Sequence, residues 1–276
     1  MTRLRLGLLL LGALALAALL SPWITAALGI DPEAQDLLAR HAAPSPEHPL
    51  GTDDLGRDVL ARLLSGARVS LAVGVAAALA STGIGLLAGV MAAWRGGWLD
   101  AAIMRLADGL LALPALPILV LLAAMDPGAL GLPRGGAGTD IARIVVILAL
   151  FGWMGVARLS RAAALTTLSR DHVRAARALG VTEGRLLWRH VVPSLTAPVA
   201  VAASLAVGGA ILAESTLSFL GLGIQPPAAS WGNMLANAQD LVLSAPGAAV
   251  WPGLCIALAV AGAMLVADGV RTRTGP

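Results

Sequence analysis

The stretch VSLAVGVAAALASTGIGLLAGVMAAW, residues 69–94, decides the fold of this chain because it contains no charged side chain. An α-helix needs about 20 mostly apolar residues to cross the hydrocarbon core of a bilayer, and this stretch exceeds that length. Its four glycines, Gly74, Gly83, Gly85 and Gly89, are typical of helices that approach one another closely in lipid. We therefore predict a transmembrane helix here.

The remaining sequence repeats this pattern. Of the 276 residues, 58% are hydrophobic and only 13% are charged, whereas about 25% of the residues of a soluble domain are charged. We therefore expect an all-α membrane protein. Apolar runs with few charges predict six transmembrane helices, at residues 6–28, 69–94, 102–125, 141–161, 196–219 and 247–267. For the first run, the apolar core of a secretory signal is the alternative.

The predicted helices divide the chain into three parts. Residues 1–28 form an N-terminal transmembrane helix, and residues 29–68 form an extracytoplasmic loop that contains an amphipathic helix. Residues 69–270 form a core of five transmembrane helices, which includes a cytoplasmic loop at residues 160–193.

The arginines give the predicted orientation. Lysine is absent, so all 19 basic residues are arginine, and cytoplasmic loops carry an excess of positive charge. With the N-terminus inside, the cytoplasmic segments hold twelve arginines and the outer segments hold six. We therefore predict that both termini are cytoplasmic. We do not expect nucleic-acid binding, because the basic loop lacks the interleaved aromatic residues of such surfaces.

The composition also excludes several kinds of chemistry. Without lysine, the chain has no Walker A lysine for ATP phosphates and no Schiff-base lysine. Its four histidines and single cysteine lack the spacing of metal ligands. We expect no enzymatic activity, no metal site and no cofactor bound by this chain.

The loop at residues 160–193 has the pattern of two short amphipathic helices. We predict one helix at residues 171–179, ended by Gly180, and another at residues 183–192, capped by Thr182 and ended by Pro193. Water alone would not hold their small apolar face in place, so this face predicts a contact with a partner. The face comprises Ala175, Ala176, Leu179, Leu186 and Leu187.

The same loop resembles the EAA coupling loop of permease subunits in ATP-binding-cassette (ABC) importers. The resemblance rests on the run Arg174-Ala175-Ala176, a glycine four residues beyond Ala176, and a proline thirteen residues beyond that glycine. Arg174 stands where the family has glutamate. The resemblance implies coupling to separate ATPase subunits, which bind ATP and magnesium. The coupling residues are then Arg174, Ala175, Ala176, Leu179, Gly180 and Pro193.

Two further stretches resemble the second permease of dipeptide, oligopeptide and nickel importers, the DppC, OppC and NikC group. They are HPLGTDDLGRDVLARLLSGARVSL, residues 48–71, and LSFLGLGIQPPAASWGNML, residues 217–235. The Trp-Pro-Gly at residues 251–253 and the Ala-Asp-Gly-Val-Arg at residues 267–271 are similar to closing elements of the same group.

This resemblance implies the type I ABC importer permease fold and a location in the inner (plasma) membrane. It implies a homologous DppB/OppB-like permease, two ABC ATPase subunits and an extracytoplasmic solute-binding protein as partners, besides the lipid bilayer. The implied function is ATP-driven import of peptides through a pore of which this chain forms half. Nickel or another small solute is the alternative cargo.

The stretch at residues 48–71 predicts a turn followed by an amphipathic helix on the outer surface, with Thr52 or Asp53 as its cap. We expect it to gate the outer mouth or to contact the sister permease, and the alternative is that it merely anchors the second span. The apolar stripe is Val59, Leu60, Leu63 and Leu64. The gate or interface residues are Gly51, Asp53, Gly56, Arg57 and Asp58.

The stretch at residues 217–235 predicts a rigid outward loop after the fifth helix. Trp231 is expected to anchor this loop at the membrane interface. We expect the loop to meet the binding protein. The residues that end the helix and shape the loop are Gly221, Gly223, Pro226 and Pro227.

Ionisable residues within transmembrane helices are costly and point to function. Asp108 follows Arg105 by one helical turn, so either an intrahelical ion pair or a place on the translocation path is expected. Glu214 has no basic residue nearby in sequence and is the stronger path candidate, with a helix-packing hydrogen bond as the alternative. Asp268 is expected to pair with Arg271.

The function these features favour is that of a non-catalytic membrane subunit of an ATP-driven importer. An ion-coupled secondary transporter, with Asp108 or Glu214 as its proton carrier, is the alternative class. No inverted repeat is visible, which speaks against that class. An intramembrane enzyme is not favoured, because no serine-lysine pair and no metal-ligand spacing is present.

Overall fold

The computed structural model describes residues 2–126, 128, 135–236 and 245–274. Within these ranges the chain is helical and has no β-strand beyond an isolated bridge between Thr52 and Asp58. The α-helices are α1 (Thr2–Leu28), α2 (Val59–Arg95), α3 (Gly97–Leu111), α4 (Ala115–Ala124), α5 (Ala137–Leu168), α6 (Asp171–Ala178), α7 (Glu183–Leu186), α8 (Val192–Ser194), α9 (Thr196–Phe219) and α10 (Pro246–Thr274).

Five of these helices, α1, α2, α5, α9 and α10, are long and apolar enough to cross a membrane, and α3 with α4 makes a sixth span if the two are counted together. The prediction of an all-α protein with six transmembrane helices is confirmed in this form. The third span, predicted at residues 102–125, is broken into two helices, because α3 and α4 meet at 89°. Pro114 caps α4, and a proline disfavours helical geometry in the residue before it, so the helix breaks there.

The amphipathic helix predicted before the second span is continuous with that span, because both belong to α2 and the predicted boundary at residue 69 lies inside it. Asp58, rather than Thr52 or Asp53, caps this helix, since its carboxylate accepts a hydrogen bond from the backbone N–H of Ala61 at 2.8 Å. With a rise of about 1.5 Å per residue, α2 is longer than the hydrocarbon core, so its first turns extend beyond it. There Val59 packs in a cluster with Met234 and Ala248.

Close helix packing at glycines holds the bundle together. A Cβ at Gly85 would lie 2.6 Å from the carbonyl oxygen of Trp153, and one at Gly89 would lie 2.3 Å from that of Ala157, so α2 and α5 are in backbone contact. At Gly83 a Cβ would meet nothing within 4 Å. The small residues of the spans therefore serve packing at some positions and face open space at others.

The start of α1 and the end of α10 lie at one end of the bundle, which we call the terminal end. There α1 and α10 run antiparallel, with Gly7 against the backbone of Gly262, and Arg3 forms a salt bridge with Asp268 at 3.4 Å. The expected pairing of Asp268 with Arg271 is therefore wrong, because the terminus of α1 lies closer. The opposite end, called the distal end, holds residues 29–58 and 220–236. Which end is cytoplasmic stays a prediction, and one counted outer arginine, Arg134, lies outside the described residues.

Candidate functional site

The residues of the predicted coupling loop form a helical hairpin, residues 171–194, at the terminal end. α6 ends as expected before Gly180, which has a φ of +80°, a left-handed conformation that glycine adopts without strain. The N–H of Val181 donates to the carbonyl oxygen of Ala176 at 3.2 Å and closes the turn. The first half of the hairpin is thus a helix with a glycine stop.

The second half differs from the single helix expected at residues 183–192. α7 passes into a π-helical turn, Leu187–Val191, and then into α8. Pro193 does not end a helix. It lies in the first turn of α8, where its missing N–H has no intrahelical partner to lose. Thr182 occupies the cap position of α7, but its side chain makes no capping hydrogen bond.

An ion pair joins the two halves of the hairpin. The Arg177 guanidinium donates to both carboxylate oxygens of Glu183, at 2.8 and 3.1 Å, and both side chains are about half exposed. Hydrogen bonding by Arg177 holds the pKa of the Glu183 carboxyl below its usual value, and the carboxylate raises the pKa of Arg177. This pair joins the two halves of the hairpin, and Glu183 also interacts with the Trp94 side chain near the end of α2.

The anchor is a set of buried apolar side chains. Val173, Leu186 and Val191 are fully buried and pack against Val90 near the end of α2 and Ala164 of α5. Leu187 belongs to the same cluster. The hairpin is therefore packed directly against the ends of α2 and α5.

The exposed side of the hairpin is not the apolar face expected from sequence. Leu186 and Leu187 of that face are buried, whereas Ala175 is exposed, Ala176 is half-buried and Leu179 is 85% exposed. The rotation of α6 explains this, because Val173 rather than Ala175 points into the cluster. Arg174 is also exposed. Arg174, Ala175 and Leu179 thus lie on the exposed side of the hairpin, and their contact with a partner stays a prediction.

Two ion pairs join α3 to α5. Asp108 pairs with Arg158 at 3.2 Å, so the expected pairing with Arg105 is wrong: α5 lies alongside α3 and its arginine reaches the carboxylate. Asp100 pairs with Arg161 through two hydrogen bonds of 2.5 Å. The Asp108 and Arg158 side chains are 59% and 58% exposed, although both belong to membrane-spanning helices. An ion pair that faced lipid in this way would be costly.

Glu214 lies at the junction of α9, α2 and the loop after α9, and is fully buried. One carboxylate oxygen accepts a hydrogen bond from Ser70 at 2.9 Å, and the other accepts one from Ser218 at 2.7 Å. The Ser70 hydroxyl also accepts from the backbone N–H of Trp231 at 3.1 Å. These bonds are the helix-packing hydrogen bonds predicted as the alternative role of Glu214. Its role on the translocation path stays a prediction.

Trp231 does not anchor the loop in the membrane interface as expected. It is fully buried, and its indole N–H donates to the carbonyl oxygen of Leu63 in α2 at 3.1 Å. The buried Trp231 side chain therefore holds the loop at residues 220–236 against α2.

The five predicted gate or interface residues come together at the distal end. Asp53 is the centre: one oxygen accepts from the backbone N–H groups of Leu55 and Arg57, and the other accepts from the Arg57 guanidinium at 2.7 Å. Asp58 caps α2 and lies 3.0 Å from the His48 ring. We call this group, comprising Gly51, Asp53, Gly56, Arg57 and Asp58, the Asp53 cluster. Its role as a gate or interface stays a prediction.

The hydrogen-bond and ion-pair partners of Glu214 and Asp108 were not identified by the sequence analysis. Ser218 follows Glu214 by four residues, and that helical spacing could have identified it. No such signal exists for Ser70 or Arg158, which come from other helices. Within the described ranges, no group of three histidine, cysteine, aspartate or glutamate side chains could hold a metal ion.

Comparison with known proteins agrees with this architecture. The profile of the family described as "binding-protein-dependent transport system inner membrane component" matches residues 85–276. A protein of Brucella suis biovar 1 (strain 1330), provisionally named a peptide permease, is 40% identical over 273 residues, which cover 98% of this chain and 85% of that protein. A second protein of the same strain, provisionally named a peptide transport system permease, is 38% identical over 272 residues, covering 99% and 87%.

A further relative is the glutathione transport system permease protein GsiD of Pectobacterium atrosepticum. It is 36% identical over 233 residues, which cover 84% of this chain and 74% of that protein. The family profile and the relatives together span nearly the whole length described above. The chain belongs to the family of binding-protein-dependent transport system inner membrane components, as an ABC importer permease of the Dpp/Opp type.

Proposed function

We propose that this chain is the membrane permease subunit of an ATP-driven importer for peptides. Two similar proteins carry names that refer to peptides and a third is named for glutathione, itself a small peptide. These names favour peptides over nickel or another small solute as the cargo. The family also disfavours the ion-coupled secondary transporter, since its description refers to a binding protein.

The observation that carries the proposal is the division of the hairpin into a buried and an exposed side. Val173, Leu186 and Val191 are buried against α2 and α5, while Leu179 is exposed on the other side. A surface leucine on a firmly anchored hairpin is suited to bind a partner and to pass its movement to the helices. In this proposal two ABC ATPase subunits bind ATP and magnesium, and one of them engages this surface.

The translocation path is proposed to run beside the Asp108–Arg158 pair. A second, homologous permease would face this side, and the two chains would enclose the pore. The pair is exposed in the single chain, so water in the path would solvate it. At the distal end, the Asp53 cluster and the loop at residues 220–236 would face the solute-binding protein. The protein would lie in the inner membrane with both termini cytoplasmic.

The test is assembly and uptake after a change on the exposed side of the hairpin. Leu179→Glu changes no buried contact, because the side chain is 85% exposed. We expect the chain to insert normally, to lose co-purification with the ATPase subunits, and to lose most ATP-driven dipeptide uptake in vesicles. The matched control is Leu38→Glu, the same change at a 99% exposed leucine of the distal end, which should leave assembly intact. Normal ATPase binding and uptake by Leu179→Glu would refute the coupling role.

A further inference from the structure

An apolar cavity lies between α1 and α2 at the distal end, away from the hairpin and the α3–α5 ion pairs. Its volume is about 670 Å³, within the range of about 300 to 1,000 Å³ that is usual for small-molecule sites. Small and apolar side chains form its walls: Ala15, Ala18 and Leu19 from α1, and Ala72 and Val75 from α2.

Two opposite charges line the same cavity. Arg68, on α2, and Glu33, in the segment after α1, are both exposed and both border it. Neither forms a salt bridge with any residue that the structure describes, and Glu33 has only a longer-range attraction to Arg62. A ligand that carries an anionic and a cationic group would satisfy both.

The depth of these charges points to the membrane surface. Arg68 immediately precedes the uncharged run at residues 69–94, and Glu33 follows the end of α1 by five residues. Both therefore lie where apolar helices leave the hydrocarbon core, which is the level of lipid headgroups. Arginine binds phosphate through charge-assisted hydrogen bonds, often two at once.

The walls below the charges favour lipid over peptide as the occupant. Leu19, which lines the cavity, is 68% exposed, and the neighbouring Leu16 and Trp23 of α1 are 56% and 68% exposed. Such a surface suits acyl chains, whereas a peptide on a hydrated path would leave these side chains in water.

We infer that this cavity binds a phospholipid with an amine headgroup, of the phosphatidylethanolamine class. Arg68 donates hydrogen bonds to the phosphate, Glu33 accepts them from the ammonium group, and an acyl chain lies between α1 and α2 along Ala15 and Ala72. The inference is independent of the transported solute.

The test is photo-crosslinking of the full chain in phosphatidylcholine vesicles that contain a photoactivatable phosphatidylethanolamine. Arg68→Gln should lower labelling about tenfold, as the loss of a hydrogen-bonded charge predicts. Glu33→Gln should lower labelling by this probe but not by photoactivatable phosphatidylglycerol, which lacks the amine. Arg105→Gln, at another exposed arginine outside the cavity, should leave labelling unchanged.

A second variant tests the cavity without changing charge. Ala72→Phe places a ring at an exposed position of the wall, where the fold tolerates it, and should also reduce labelling. Equal labelling of the native chain and Arg68→Gln would overturn the inference. Displacement of the probe by a soluble dipeptide would overturn it as well and would assign the cavity to peptide. Because labelling needs no transport, failure here leaves the proposed import function untouched.

Discussion

Glu214 of α9 and Ser70 of α2 are hydrogen-bonded at 2.9 Å in the interior of the bundle, 144 residues apart in sequence. The same serine accepts the backbone N–H of Trp231, so one hydroxyl joins a transmembrane helix to the distal loop. A buried carboxylate is costly unless it is hydrogen-bonded, and the serines around Glu214 meet that need. The position of the distal loop thus depends on an interaction within the bundle.

Replacing Ser70 by alanine should therefore destabilise the protein. The change removes a donor to buried Glu214 and leaves the Trp231 N–H without its acceptor, at an expected loss of about 1 to 3 kcal/mol in the free energy of unfolding. Chemical denaturation in detergent micelles measures it. The control is Ser204→Ala, whose hydroxyl bonds only to the Ala200 carbonyl of its own helix and should change little. Equal stability of the two variants would contradict the proposed role of Ser70.

Asp108→Asn should reduce dipeptide uptake by the assembled importer several-fold while changing stability by less than about 1 kcal/mol, because exposed ion pairs contribute little to folding. The reversed pair, Asp108→Arg with Arg158→Asp, should restore part of the uptake that either single reversal removes. Uptake that is insensitive to all these changes would place the pair outside the translocation path.

The hairpin should loosen at low pH. The Glu183 pKa lies below its usual value of 4.5 in the folded protein, so the stabilisation by Arg177 is fully present above the unfolded pKa and is lost as the pH falls through the lower folded pKa. A spin label at Leu179→Cys, in a Cys255→Ala background, should become more mobile as the pH falls through this lowered pKa. Glu183→Gln should make the label mobile at neutral pH already. If the label has the same mobility with and without Glu183→Gln at every pH, the Arg177–Glu183 pair does not hold the hairpin.

Gly56→Ala should be strongly destabilising. Gly56 has a φ of +71°, and an added Cβ would lie 1.7 Å from the carbonyl oxygen of Asp36, so backbone must move. We expect a loss of about 2 kcal/mol or more in the free energy of unfolding. Gly83→Ala is the matched control: it lies within α2 with open space around it and should stabilise by about 0.5 to 1 kcal/mol. Thermal unfolding in detergent compares the two variants, and tolerance of Gly56→Ala would contradict the tight packing of the Asp53 cluster.

The sequence predicted what depends on local composition. Apolar run length identified the spans, and the glycine at residue 180 identified the end of α6. The sequence did not predict contacts between segments that lie far apart in the chain. The partner of Asp108 is supplied by α5, and the burial of Trp231 depends on Leu63 in α2. The side of α6 that faces inward is set by a cluster that includes Val90, which lies 83 residues before Val173.

The bend between α3 and α4 depends partly on local sequence and partly on contacts with other helices. Pro114 was visible within an apolar run of the length of a span, and it predicts a break in the helix. The size of the bend, 89°, depends on where the neighbouring helices hold the two halves. Local sequence could therefore have located the bend without giving its angle.

In the proposed mechanism, this chain moves solute only when ATP is hydrolysed by partners bound to its hairpin. Dipeptide uptake into vesicles measures this most directly, with the chain reconstituted either alone or with its sister permease, ATPase subunits and binding protein. We expect ATP-dependent uptake by the full assembly and none by the single chain, with or without a proton gradient. Uptake by the chain alone under a proton gradient would contradict it.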